Sequence, residues 1–214
     1  MPYANPRVTL VDHPLVQHKM GILRQSATPT SQFRTLVREL AHIEAIFATA
    51  DLETESYEVE TPICRTRAKR IAGPKLAIVP ILRAGMGMVD GVLDLVPSAR
   101  VGVLGMQRNE ETHEPEPYYE KVPVDVASRD CLVVDPMLAT GGSAIAAVKL
   151  LRERGVANIK VMVLVAAPVG LDALLAADSD VHIYTCAIDE GLNEAAYIVP
   201  GLGDAGDRIF GTVA

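Results

Sequence analysis

The stretch RDCLVVDPMLATGGSAIAAVKLLRERG, residues 129–155, decides the architecture. RDCLVVD is a short apolar run of the kind that forms a buried parallel strand. PMLATGG follows as a loop, and SAIAAVKLLRERG reads as a helix. The same succession occurs on both sides. Upstream, KLAIVPIL (75–82) is a strand, RAGMG (83–87) a turn and MVDGVLDLV (88–96) a helix. Downstream, IKVMVLVAA (159–167) is a strand, PVGLDALLAA (168–177) a helix and VHIYTCAID (181–189) a further strand. Strands alternating with helices predict an α/β fold, a mostly parallel central sheet flanked by helices. In such sheets ligands sit beyond the carboxyl ends of the strands.

Outward from this centre, residues 30–47 read as an amphipathic helix, with Phe33, Leu36, Val37, Leu40, Ile43 and Phe47 at helical spacing. Thr28 or Thr30 stands where a cap belongs, with Pro29 near the first turn. HPLVQHKMGILR (13–24) reads as a shorter helix, so residues 1–50 form an N-terminal helical arm for packing or dimerisation. VGVLGMQRNEETHEPEPYYEKVPVDV (101–126) is polar and acidic between two apolar strands. A projecting hairpin or flap, residues 106–123, is expected there, of the kind that closes over a substrate.

The 214 residues suit one domain, with no Pro/Gly/Ser-rich linker to divide it. Aromatics are only 4% and Trp is absent, so the core rests on Val, Leu, Ile, Ala and Met. A net charge of -7 argues against broad nucleic-acid binding. It leaves room for a phosphorylated small molecule, because local amides, Arg and metal can overrule the global sign. Cys64, Cys131 and Cys186 are widely spaced and form no CxxC, so neither a zinc site nor a disulfide framework is indicated. The first residues lack an apolar leader and no run is long enough to span a bilayer, so the expectation is a cytoplasmic protein with no membrane partner.

Three loops carry the chemistry. In VVDPMLATGGS (133–143) a strand ends at Asp135, and Pro136, Met137, Leu138 and Ala139 lead to Thr140-Gly141-Gly142-Ser143 at a helix start. The first-turn N–H groups of that helix have no internal acceptor, so a phosphate can satisfy them. Thr140 and Ser143 add hydroxyls, while Asp135 is placed to meet sugar hydroxyls. The Walker A ending and the dinucleotide Gly-x-Gly-x-x-Gly pattern are both missing. LRAGMG (82–87) also follows a strand; Arg83 brings a fork of donors suited to pyrophosphate oxygens, and Arg108 adds charge from the flap. YIVPGLGDAGDRIFGT (197–212) holds four Gly and two Asp among apolar residues. Its exposed backbone suits the edge of a planar heterocycle, and Asp204 is a candidate metal ligand, directly or through water. The five histidines form no triad or metal spacing; His42 and His182 are assigned to local structure.

These motifs together resemble the uracil phosphoribosyltransferase family, of the type I phosphoribosyltransferase group, over essentially the whole chain. HPLVQHKMGILR and FRTLVREL resemble its N-terminal arm, ILRAGMGM its pyrophosphate loop and QRNEETHEPEPYYEKVP its flap. VVDPMLATGGSAIAA resembles its phosphoribosyl loop, and YIVPGLGDAGDRIFGT its uracil-binding hood, residues 197–212. The resemblance implies transfer of a phosphoribosyl group from 5-phospho-α-D-ribose 1-diphosphate to uracil, giving UMP and pyrophosphate in pyrimidine salvage, with Mg²⁺. It implies that Arg83 and Arg108 contact the diphosphate, that residues 135–143 hold ribose and 5-phosphate, and that Asp204 serves the sugar or its metal. Ile198, Gly203, Asp204 and Ala205 border uracil by the same resemblance. Homodimers or larger assemblies, and activation by GTP in some members, are also implied. The flap departs from the family: Gln107-Arg108-Asn109 stands where Tyr-Arg-Asp is frequent. Val134-Asp135 in place of two acids agrees with the uracil subgroup. The alternatives are a related transferase for another base, a pyrimidine-operon regulator that keeps the fold, and a non-enzymatic interaction protein.

Overall fold

The computed structural model describes residues 3–73, 76–108 and 115–212, with Arg108 and Pro115 as backbone only. The chain opens with β1 (Val8–Leu10), α1 (Pro14–Arg24) and α2 (Thr30–Ala48). A hairpin of β2 (Thr54–Glu60) and β3 (Arg65–Ile71) follows. The apolar runs then give β4 (Ala77–Leu82), α3 (Met86–Leu95) and β5 (Val103–Arg108), and β6 (Pro115–Lys121) returns beside β5. The last units are β7 (Cys131–Val134), α4 (Gly142–Glu153), β8 (Ile159–Val163), α5 (Pro168–Ala177), β9 (His182–Thr185) and α6 (Ala205–Phe210).

The central sheet runs β6-β5-β4-β7-β8-β9-β1, and Arg100–Val101 also pairs with β4. Every neighbouring pair is parallel except β5 and β6. The predicted fold class is therefore the observed one. Successive strand residues serve opposite faces, as the period of two requires. Ile78, Leu132, Val134 and Met162 pack under α1, α2 and α3. Val79, Cys131, Val133 and Val161 pack under α4 and α5. The chain leaves β4 toward β5 on one side and resumes with β7 on the other. The sheet thus reverses its order between β4 and β7, and a crevice opens at their carboxyl ends.

Two expectations need correcting, and one element lies outside them. IKVMVLVAA is not one strand. It breaks at Leu164, because Leu164 and Val165 both donate to Pro136 O, at 3.0 and 3.1 Å. Val165–Ala166 then pairs with Met137–Leu138 instead of the main sheet. Neither Thr28 nor Thr30 caps α2: its cap is Pro29 without a side-chain bond, and Thr28 Oγ1 donates to Ile22 O at the end of α1. The hairpin of residues 54–71 was not foreseen. Its pairing sets Glu55 opposite Arg70, Glu58 opposite Arg67 and Glu60 opposite Arg65. Such alternation of charge lets two strands pair without a buried face. Among the described residues no helix is long and apolar enough to cross a membrane.

α2 lays Phe33, Leu36, Val37 and Leu40 into the core, and on the same buried side stands Glu44. Neither carboxylate oxygen reaches a hydrogen-bond partner. Burial pushes the Glu44 pKa well above the ordinary carboxylate value. A group with a raised folded pKa lends stability that is complete below its unfolded value, about 4. That stability is lost as pH rises through the folded value. Glu44→Gln should therefore gain in melting temperature over the natural protein on going from about pH 5 to about pH 9. A constant or shrinking gain across that range would contradict the burial account.

Candidate active site

Two loops leave the sheet side by side at the reversal between β4 and β7. After β4 the turn at Arg83 is closed by Gly85 N donating to Ile81 O at 2.9 Å. Gly85 presses on the neighbouring strand, where a Cβ would stand 2.3 Å from Val134 O. Only glycine allows this approach, and it seats the Arg83 turn against Val134, the residue before Asp135. The Leu82–Arg83 peptide is cis.

After β7, the 135–143 loop is tied down from below. Asp135 N donates to Met162 O at 3.2 Å and Ala167 N to Leu138 O at 2.9 Å. Gly170 of α5 lies flat under the loop, where a Cβ would stand 2.4 Å from Ala139 O. Gly141 caps α4 at φ 88 with no side-chain bond to the first turn. Those amides are thus left for a ligand, with Thr140 and Ser143 exposed beside them. Asp135 is half-buried, and its Oδ1 accepts from Met137 N at 3.4 Å. Burial raises its pKa to about 7, opposed by the Met137 amide and reinforced by the Asp204 charge.

Asp204 belongs to the third loop. Its side chain caps α6 by accepting from Asp207 N at 2.9 Å. A Cβ on Gly206 would lie 3.2 Å from Asp204 Oδ1 and 3.8 Å from Arg83 Nη2, so the C-terminal segment meets the Arg83 turn here. Arg83 Nη2 donates to Asp207 Oδ1 at 3.3 Å, and its guanidinium lies 5.8 Å from the Phe210 ring. Ile198 pairs with Leu192 in a short antiparallel ladder, Gly191–Leu192 with Ile198–Val199, that leads into the segment. A cavity of about 530 Å³ runs along it, lined among others by Tyr197, Gly203, Asp204, Ser26, Thr28 and Thr30.

The structure thus brings together Arg83, Asp135, residues 136–143 and Asp204. Arg108 ends β5, beyond the pairing of Gly105 with Leu82; its side chain, like Asn109 and the rest of 109–114, lies outside the described residues. The flanks of that stretch, β5 and β6, pair as a hairpin. His42 Nδ1 lies 3.1 Å from Gly91 O and His182 Nε2 2.8 Å from Thr9 Oγ1, both local structural contacts. Among the described residues no three acids, cysteines or histidines form a metal cluster. Sequence reasoning missed Asp207 and the arm hydroxyls of Ser26, Thr28 and Thr30. Asp207 lies inside the 197–212 motif; Thr28 and Thr30 read as helix caps, and nothing along the chain ties them or Ser26 to this cavity. A separate cavity of about 500 Å³, lined by Asp51, Asp130, Lys160, Asp180 and His182, sits at the amino ends of the strands, away from all three loops.

The uracil phosphoribosyltransferase family model matches residues 10–212. A protein named uracil phosphoribosyltransferase from Agathobacter rectalis is 57% identical over 206 residues, 96% of this chain and 99% of the relative. The structure of the AQ2163 protein from Aquifex aeolicus superposes with a TM-score of 0.90 at 36% identity, over 95% of this chain and 97% of that one. A hypoxanthine phosphoribosyltransferase from Staphylococcus aureus shares the fold, with a TM-score of 0.51 at 14% identity over 85% and 84% of the two chains.

Gly170→Ala should destabilise the protein by about 1–3 kcal/mol through overpacking under the 135–143 loop, read from urea denaturation. Unchanged stability would show that the loop does not depend on this contact. Carboxyl NMR should place the Asp135 midpoint at about 7. In Asp204→Asn the midpoint should fall, since a like charge is gone, yet stay above the ordinary value because burial is the larger cause. An ordinary midpoint in the natural protein would rule this environment out.

Proposed function

The chain belongs to the uracil phosphoribosyltransferase family, and we propose that its three converging loops share out the one reaction of that family. It is a pentosyltransferase that joins uracil to 5-phospho-α-D-ribose 1-diphosphate, yielding UMP and pyrophosphate in pyrimidine salvage. The convergence of the Arg83 turn, Asp135 and Asp204 at the carboxyl ends of β4 and β7, where the loop to the uncapped start of α4 begins, carries the proposed assignment of roles.

In this reading Asp135 takes the ribose hydroxyls. Pro136, Met137, Leu138, Ala139, Thr140, Gly141, Gly142 and Ser143 enclose the 5-phosphate on the first turn of α4. Arg83 leaves Asp207 and turns its guanidinium to the diphosphate, with Arg108 joining from the flap. The bond from uracil N1 to the anomeric carbon forms as the bond to the diphosphate breaks. The electron pair leaves with pyrophosphate, and the N1 proton passes to the departing pyrophosphate or to solvent. Charge grows on the leaving group and on an oxocarbenium-like sugar. Each well-placed donor is worth roughly 3 kcal/mol against that charge. Ile198, Gly203, Asp204 and Ala205, in the hood of residues 197–212, border the base. The flap, residues 106–123, excludes water that would compete for the sugar.

The residues fit Mg²⁺ of the kind held by one or two carboxylates together with substrate phosphates. Asp135 and Asp204 are close enough for one charge to raise the other's pKa. Asp204, directly or through water, is the proposed ligand. When bound, Mg²⁺ neutralises the diphosphate charge. GTP enters as an activator through the family alone. A homodimer or larger assembly is supported by the β2–β3 hairpin, whose two strands among the described residues pair with each other alone and which exposes Tyr57 and Ile63. Salvage in the cytoplasm completes the reading.

UMP should form from uracil and the diphosphate sugar with Mg²⁺, fall away with EDTA, and respond in a parallel tube if GTP activates. Folded protein that makes no UMP but joins another base would transfer the reading to that base.

A further inference from the structure

The loop 200–204 is held in place by arginines that come from two different parts of the chain. Arg24, the last residue of α1, meets Asp189 in a two-pronged ion pair, Nη1 to Oδ2 at 2.7 Å and Nη2 to Oδ1 at 2.6 Å. The Asp189 side chain is only 6% exposed. Both partners then reach the same residue: Arg24 Nη1 donates to Gly201 O at 2.7 Å, and Gly201 N donates to Asp189 Oδ2 at 2.8 Å. Gly201 sits at φ 61 with no room for a side chain, since a Cβ would meet Ile198 O at 2.1 Å. The next carbonyl, that of Leu202, accepts from Arg208 Nη1 at 2.8 Å. Arg208 also donates to Gln25 O at 2.5 Å and lies 4.3 Å from the Phe33 ring, so it too ties the loop to the N-terminal arm.

These bonds occupy the polar groups of Gly201 and the carbonyl of Leu202. Gly203 is the first residue whose N–H and C=O have no intramolecular partner among the described residues. A buried ion pair that is fully hydrogen-bonded holds its geometry well, and removing one partner leaves the other charge stranded. We propose that Arg24, Asp189 and Arg208 are positioning residues for base recognition: they fix Gly201 and Leu202 so that the backbone of Gly203 faces the edge of the pyrimidine. This rests on the uracil reading above. It assigns to the end of α1 a role in the choice of base, through the hood and not by contact with substrate.

The test varies uracil and the diphosphate sugar separately, with Mg²⁺, in Arg24→Ala, Arg24→Lys and Asp189→Asn. Asp189→Asn keeps an acceptor for Gly201 N–H and serves if Arg24→Ala does not fold. Arg152→Ala is the control. It breaks an equally two-pronged pair with Asp178, which lies at the far end of the sheet. The expected result is a rise of about 10- to 100-fold in KM for uracil, with KM for the diphosphate sugar within about twofold. Arg24→Lys should recover only part, since a single ammonium cannot hold both carboxylate oxygens and the carbonyl. Arg152→Ala should lose melting temperature with KM for uracil unmoved. Equal rises in both KM values, or an unmoved KM for uracil in folded Arg24→Ala or Asp189→Asn, would overturn the proposal while leaving the uracil reading intact. Natural protein without any UMP formation would end both.

Discussion

The contact of Gly85 with the Val134 carbonyl is the constraint on which the site depends. A sheet that reverses its order leaves a gap above two adjacent strands, but a gap is not yet a site. The loops that leave β4 and β7 must also come close enough to hold one ligand from two sides. A side chain at residue 85 would force them apart. Its absence seats the Arg83 turn on the last residue of β7, one position from Asp135. The C-terminal segment then closes the third side by packing Leu202, Ala205 and Ile209 into the same core as α2 and α3.

The electrostatics of the crevice favour an anion through the backbone more than through side chains. Asp135, Asp204 and Asp207 gather here, and the guanidiniums nearby are already engaged: Arg83 on Asp207, Arg24 on Asp189 and Arg208 on the Leu202 and Gln25 carbonyls. Taken as side chains, that is a poor receptor for phosphates. The open amides of α4 are dipoles fixed in position, and they lose nothing to the neighbouring carboxylates' choice of proton. The elevated Asp135 pKa is the reverse side of this arrangement: a carboxyl placed low between strand ends holds its proton more tightly than an exposed one, and a cation or hydroxyl donors would favour its charged form. An acidic protein of net charge -7 can therefore build a local site for a highly charged sugar phosphate.

Much of the scaffold was legible because buried parallel strands are short continuous apolar runs and helices keep a period of 3.6. AIVPIL and CLVV stood out for that reason, as did α2 with Phe33, Leu36, Val37 and Leu40. The misses have physical causes. Residues 54–71 bury no face, so charge alternation across the hairpin was the only signal. The break at Leu164 is invisible in IKVMVLVAA, because it is imposed by the Pro136 carbonyl, which a reading of local pattern does not contain. The cap of α2 was misplaced because Thr28 finds a better acceptor in the Ile22 carbonyl at the end of α1.

By itself the sequence determined the alternation of strands and helices, the three loops, and the family to which they belong. Each is a local matter: apolar period, glycine spacing and the residue types at strand ends. Only the tertiary structure decided that Arg83 rests on Asp207, that Asp204 raises the pKa of Asp135, and that Arg24 grips Gly201 across 177 positions of chain. Those contacts join residues far apart in sequence. They are selected by how α1, the strand ends and α6 pack around one core, and no pattern along the chain encodes that distance.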